Sequence, residues 1–137
     1  MKISEIMTTN VECVAPETGI SEVAGKMKTL DVGFLAVCEN DRIAGTITDR
    51  DIVVRAIAGG RDIKSLKVSD IMTKDVHWSF ESDDIKDIAR KMREKEVRRI
   101  LLLDANKRLV GVVSIGDLSK VEEKESGRTL KDISEAA

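Results

Sequence analysis

Ile3-Ser4-Glu5-Ile6-Met7-Thr8 opens the chain, and Val68-Ser69-Asp70-Ile71-Met72-Thr73 repeats it in the middle. Working outward, Ile20, Ala24, Lys26, Met27 and Val32 return without a gap as Ile85, Ala89, Lys91, Met92 and Val97. One residue is then inserted in a polar loop, Glu39-Asn40-Asp41 against Asp104-Ala105-Asn106-Lys107. The register resumes with Gly45-Thr46-Ile47-Thr48-Asp49-Arg50-Asp51 against Gly111-Val112-Val113-Ser114-Ile115-Gly116-Asp117. Self-similarity over about fifty residues signals a duplicated structural unit. Two copies predict a pair with approximate two-fold symmetry rather than a solenoid.

The chain has 137 residues, enough to bury a substantial core. Each copy alone, at about 55 residues, would be marginal, so the halves are expected to share a core. A hydrophobic fraction of 42% with 35% charged residues describes a soluble globular protein. No apolar run reaches membrane-spanning length, and the first residues lack the apolar stretch of a signal peptide. The default expectation is cytoplasmic, with no membrane partner. A net charge of −2, no Tyr, two Phe and one Trp argue against nucleic acid, which needs a basic surface or stacking platforms. Cys13 and Cys38 lack CxxC spacing and read as small buried apolar residues rather than metal ligands or a disulfide.

Each copy reads as βαββα. Val11-Glu12-Cys13-Val14 and Val76-His77-Trp78-Ser79-Phe80 are short strand candidates. Thr18 and Asp83, at matching positions, are expected to cap the next helix. In that helix Ile20, Val23, Ala24, Met27 and Leu30 share one face, as do Ile85, Ile88, Ala89 and Met92. Phe34 to Cys38 with Ile43 to Ile47, and Ile100 to Leu103 with Leu109 to Val113, read as hairpins of buried strands. A second helix starts near Thr48 or Asp49 and ends at Gly59-Gly60; its counterpart starts near Ile115. Trp78-Ser79-Phe80 puts bulk where the first copy has Cys13-Val14-Ala15, which predicts core filling, with a dimer contact as the alternative. The fold class is α/β, with the domains at 1–60, a linker at 61–67, a second repeat at 68–121 and a polar tail at 122–137 that forms a short helix or frays.

The chemistry lies where the last strand of each copy meets its helix, in Gly45-x-x-Thr48-x-x-Asp51 and Gly111-x-x-Ser114-x-x-Asp117. A hydroxyl and a carboxylate three residues apart at a helix start lie close together. The spacing is that of a capping box, which explains it without any ligand. Glycine within a strand marks the close approach of a ligand or another backbone, or a bulge.

The order Ile-Met-Thr, helix, hairpin and G-x-x-[TS]-x-x-D, given twice, resembles the cystathionine β-synthase (CBS) domain pair. Glu96-Val97-Arg98-Arg99-Ile100-Leu101-Leu102-Leu103-Asp104 with the Gly111 to Leu118 segment is similar to repeats of the γ subunit of AMP-activated protein kinase. Gly45 to Val53 resembles small stand-alone bacterial and archaeal CBS pairs. The likeness covers about residues 1 to 121. It implies two βαββα repeats packed through their sheets. It also implies a regulatory module that binds an adenosyl ligand (AMP, ADP, ATP, NAD or S-adenosylmethionine) in clefts between the repeats. In such pairs an aspartate, here Asp51 and Asp117, holds the ribose hydroxyls, and Thr48 and Ser114 face ribose or phosphate. The Met-Thr segment of one repeat joins the aspartate of the other, which groups Thr73 and Val76 with Asp51, and Thr8 and Val11 with Asp117. Arg98 and Arg99 match a basic pair that reaches phosphates, whereas the first copy has Gly33 and Phe34, so the two sites are not expected to be equivalent. Ordinary surface charge is the alternative for the arginines.

The resemblance further implies a homodimer and an unidentified protein target, with no cofactor required beyond the regulatory nucleotide. A ligand-free structural association module is the alternative function. An enzyme is disfavoured, because the sequence has no activated-nucleophile pattern, no metal-ligand cluster, and neither a P-loop nor GxGxxG.

Overall fold

A computed structural model describes residues 1–122, so the tail from 123 onward lies outside the described residues. The element order is a short 3₁₀ turn (Ile3–Glu5), β1 (Cys13–Val14), α1 (Ile20–Leu30), β2 (Phe34–Glu39), β3 (Arg42–Thr48) and α2, which starts as Asp49–Asp51 and continues as a π-helix over Ile52–Ile57. The second half repeats it as α3 (Val68–Ile71), β4 (Trp78–Phe80), α4 (Ile85–Lys95), β5 (Arg99–Leu103), β6 (Leu109–Ser114) and α5 (Ile115–Glu122). Two three-stranded sheets result, ordered β1-β2-β3 and β4-β5-β6. In each, the first pair is parallel and the second is an antiparallel hairpin.

The chain divides into two compact units that cut across the sequence repeats. One unit joins residues 1–11 to those from 77 onward, and the other spans 12–76. The physical reason is a swap of short apolar anchors. Ile3 is fully buried in the core of the second repeat, with Ile88, Ala89, Met92, Ile100, Leu102, Val113 and Leu118. Its backbone is tied there by Ile3 N donating to Asp83 O at 2.8 Å. Val68 and Ile71 enter the core of the first repeat with Ile20, Val23, Leu35, Val37 and Ile47. Leu66, in the segment expected to be a plain polar connector, joins them. Instead of one core shared by the halves there are two, each completed by a short segment from the other repeat, since a half is too small on its own.

Several local expectations are corrected. The first strands begin later than Val11 and Val76, at Cys13 and Trp78. Thr18 and Asp83 do not cap the helices. Their side chains instead accept from Ala15 N and Phe80 N across the strand-to-helix turn. The N-caps are Gly19 and Asp84, and the Asp84 carboxylate accepts from Lys86 N at 2.9 Å. That bond holds the Asp84 carboxyl below its ordinary value. Trp78 and Phe80 do not fill the core. Ser79 takes the buried position between them, while the two rings meet edge to face at 5.2 Å. Lys91 lies over the Trp78 ring and donates to Ser79 Oγ and Trp78 O, and burial lowers its pKa.

Candidate functional site

The two Thr/Ser-x-x-Asp motifs sit at the start of α2 and α5, where β3 and β6 end. In the first, Asp51 N donates to Thr48 Oγ1 at 3.1 Å and Thr48 N donates to Asp51 Oδ2 at 3.0 Å. In the second, Asp117 N donates to Ser114 Oγ at 3.2 Å and Ser114 N to Asp117 Oδ2 at 2.9 Å. Both are reciprocal capping boxes, as the three-residue spacing predicts. The cap uses one carboxylate oxygen of each aspartate. The other oxygen takes no part in the cap.

Around Asp51 that second oxygen has company. Thr73 Oγ1 donates to Asp51 Oδ1 at 3.5 Å, and Arg55 Nε lies 3.8 Å from the same atom. The Asp51 side chain is only 12% exposed. Thr73 reaches it because its backbone pairs with β3 in both directions, Thr46 N to Thr73 O and Thr73 N to Thr46 O, each 2.9 Å. Arg55 braces the approach from the helix by donating to Ile71 O and Met72 O. Its side chain stays about half exposed while its guanidinium is tied to these carbonyls. Val76 is half-buried in an extended stretch just beyond Thr73.

The Asp117 site is built the same way and differs in its details. Thr8 pairs with β6, donating from N to Val112 O at 2.9 Å and accepting from Val112 N at 3.0 Å. Thr8 and Asp117 line one recess of about 520 Å³ with Met1, Glu5, Ile6 and Lys120. Val11 follows as a half-buried extended residue. No arginine stands where Arg55 does; the equivalent residue is Val121. Asp117 Oδ1 accepts no hydrogen bond among the described residues. Arg98 and Arg99 are exposed and flank this helix start. Arg98 O accepts from Ile115 N at 3.0 Å, and Arg99 is the register partner of Ser114. In the first copy Phe34 is the partner of Thr48, and the Asp49 carboxylate lies over Gly33 so closely that a Cβ there would be 2.6 Å from it.

The mid-strand glycines are settled by backbone approach. A Cβ at Gly45 would lie 2.6 Å from Thr73 O, and one at Gly111 would meet Met7 Sδ at 2.5 Å and Thr8 O at 3.1 Å. These glycines let the exchanged Met-Thr segments lie flat on β3 and β6. Gly45→Ala is expected to cost about 1–3 kcal/mol, because the obstruction is backbone and cannot rotate away. A melting curve should show the midpoint about 3–10 °C lower; an unchanged midpoint would mean the segment is not seated on β3 as described.

The CBS domain family profile matches residues 3–57 and again 68–124. The chain belongs to the CBS-domain family. It is a tandem CBS pair, 34% identical over 134 residues to the CBS domain-containing protein YhcV of Bacillus subtilis, covering 96% of this chain and 94% of YhcV. Among solved CBS-pair folds it resembles hypoxic response protein I, solved with two coordinated zinc ions, with a TM-score of 0.79 and 29% identity over 88% of this chain and 98% of that one. It shares its fold with CBSX2, solved in complex with AMP, with a TM-score of 0.76 and 22% identity over 90% and 96% of the two chains. Among the described residues of this CBS pair, no three His, Cys, Asp or Glu side chains group as a metal site, and no helix is long and apolar enough to cross a membrane.

Proposed function

We propose that this CBS pair is a regulatory module that binds an adenosyl ligand (AMP, ADP, ATP, NAD or S-adenosylmethionine) at Asp51 and at Asp117 and reports its occupancy to a partner protein. The observation that carries the reading is the built geometry at both helix starts. One carboxylate oxygen is fixed by the cap, and the other is left to accept from ribose hydroxyls beside a threonine of the exchanged segment. Thr48 and Ser114 complete each site on the cap side, and Val76 and Val11 offer aliphatic walls for adenine. The AMP complex of CBSX2 supports the ligand class through its shared fold. Identification by mass spectrometry of the small molecule released when the purified protein is denatured tests the reading. An adenosyl compound at up to two per chain is expected; protein that is empty and takes up none on soaking would favour the structural association module instead.

The two sites differ in charge. Arg98 and Arg99 flank Asp117, whereas Phe34 and the Asp49 carboxylate flank Asp51. The Asp117 site accordingly prefers the more phosphorylated ligand. Replacing both arginines by alanine should weaken ATP at least about tenfold more than adenosine, since charge-assisted contacts to phosphate are lost and the ribose contacts stay. Equal losses in calorimetric titrations would remove the arginines from the site.

The module acts as a homodimer in this reading. Val53, Val54 and Ile57 are 55%, 45% and 56% exposed on one stretch of α2, an apolar face that water alone covers poorly. Sedimentation should give twice the chain mass at micromolar concentration; a monomer there would defeat the claim.

A further inference from the structure

The chain's only two cysteines meet at one place. Cys13 begins β1 and pairs in parallel register with Ala36, so Cys38 lies two residues further along β2, on the same face. The Cys38 thiol donates to Cys13 Sγ at 3.1 Å. The ladder between β2 and β3 shifts register opposite Val37 and Cys38, where Gly45 and Ile43 are their partners and Ala44 of β3 is the extra residue. Duplication did not supply the pair, since the equivalent positions of the second repeat hold Trp78 and Leu103. Cys13 also lines a surface recess of about 480 Å³ with Thr18, Glu22, Lys26 and Thr29, wide enough for a small oxidant.

The two thiols are not alike. The hydrogen bond from Cys38 holds Cys13 below the usual thiol range, and Lys26 helps, against burial, Asp41 and Glu12. The same bond and burial push Cys38 up. One thiol is thus poised as the nucleophile, with the other in contact behind it.

We propose that Cys13 and Cys38 form a peroxide-reactive dithiol site, with Cys13 as the attacking and Cys38 as the resolving residue of a reversible intrachain disulfide. The Cys13 thiolate attacks hydrogen peroxide; an S–O bond forms, the O–O bond breaks, and hydroxide leaves. Cys38 sulfur then attacks Cys13 sulfur; the S–S bond forms, the S–O bond breaks, and water leaves with the Cys38 proton. Two thiols lose two electrons in total, and the peroxide gains them. A two-electron thiol reductant reverses the step. The sulfurs need to approach by about 1 Å to reach disulfide length. The crosslink would staple the two-residue β1 to β2 across the whole of α1, just after the chain enters this unit at Glu12.

The test uses the full reduced chain treated with hydrogen peroxide. Free thiols should fall from two to none while the chain stays monomeric on a non-reducing gel. The intact mass should drop by about 2 Da, and dithiothreitol should restore it. Tryptic peptides 3–26 and 29–42 should be found linked. The melting midpoint should rise by about 5–10 °C on oxidation. Cys38→Ser should stall as a Cys13 sulfenic acid trapped by dimedone, and Cys13→Ser should leave Cys38 at least about tenfold slower to oxidise. Disulfides formed only between chains, two thiols persisting at millimolar peroxide, or a Cys13→Ser variant oxidised as fast as the wild type would each overturn the proposal.

Discussion

Asp117→Ala is expected to weaken adenine-nucleotide binding at its site about 10- to 100-fold, because it removes charge-assisted hydrogen bonds worth about 1.5–3 kcal/mol. Asp51→Ala should do the same to the other site and leave the first untouched. Both changes also dismantle a capping box, which costs about 1 kcal/mol of stability. The structure makes the two effects separable. The cap uses Oδ2 alone, accepting from Ser114 N or Thr48 N. An Asp117→Asn variant keeps an oxygen for that bond but loses the anionic acceptor beside it. Its melting point should therefore stay near that of the wild type while its affinity falls. If Asp117→Ala lowers stability and leaves titration curves unchanged, the aspartate is a helix cap and nothing more.

The second large effect concerns the anchors that the repeats exchange. Ile3→Ala should cost about 2–5 kcal/mol, the range for deleting a fully buried aliphatic side chain in a core that cannot collapse around the gap. Ile3 is 0% exposed and stands among Ile88, Met92, Ile100 and Leu118, all from the other repeat. The chain's single tryptophan, Trp78, belongs to the same unit and reports on it by fluorescence. Urea unfolding followed at Trp78 should move to clearly lower denaturant concentration in Ile3→Ala. A shift under about 0.5 kcal/mol, the scale of a surface change, would mean that residues 1–11 do not complete this core.

The helices and hairpins were legible because their signals are local. Ile20, Val23 and Met27 recur at helical spacing, and all three are buried. The runs around Leu35 and Ile100 are continuous and apolar because residues on both faces of β2 and β5 are buried. The duplicated Ile-Met-Thr, legible as a repeat, gave no local sign of where each copy packs. A single turn carries one buried residue (Ile3) or two (Val68 and Ile71), too few for a period, and its destination depends on contacts with the far half of the chain. The π-helical stretch of α2 was hidden for a similar reason. Its Ala58 N to Val53 O bond at 2.9 Å leaves no mark in the apolar pattern. The ends of α1 and α4 fall on Asp31 and Glu96 in left-handed conformation, each with φ near 55°, where glycine would have been the readable signal.

Of the candidate site, the pairing of Thr48 with Asp51 and of Ser114 with Asp117 follows from three-residue spacing at a helix start. The neighbourhood of Thr73 with Asp51 came from family resemblance and has no spacing signal, since twenty-two residues separate them. The bonds of Arg55 to the carbonyls of Ile71 and Met72 span sixteen and seventeen residues and have no spacing signal either. The cysteine contact has no spacing signal, because it depends on the parallel register of β1 with β2, set by the crossover through α1.

The most direct test of the account is calorimetric titration of the wild-type chain with AMP, ATP and S-adenosylmethionine, paired with melting curves at saturating ligand. Saturable binding of at least one of them is expected, with a melting point that rises with ligand concentration, because binding only the folded state stabilises it by mass action. No heat and no shift in melting point with any of the three would contradict the reading of this CBS pair as an adenosyl sensor.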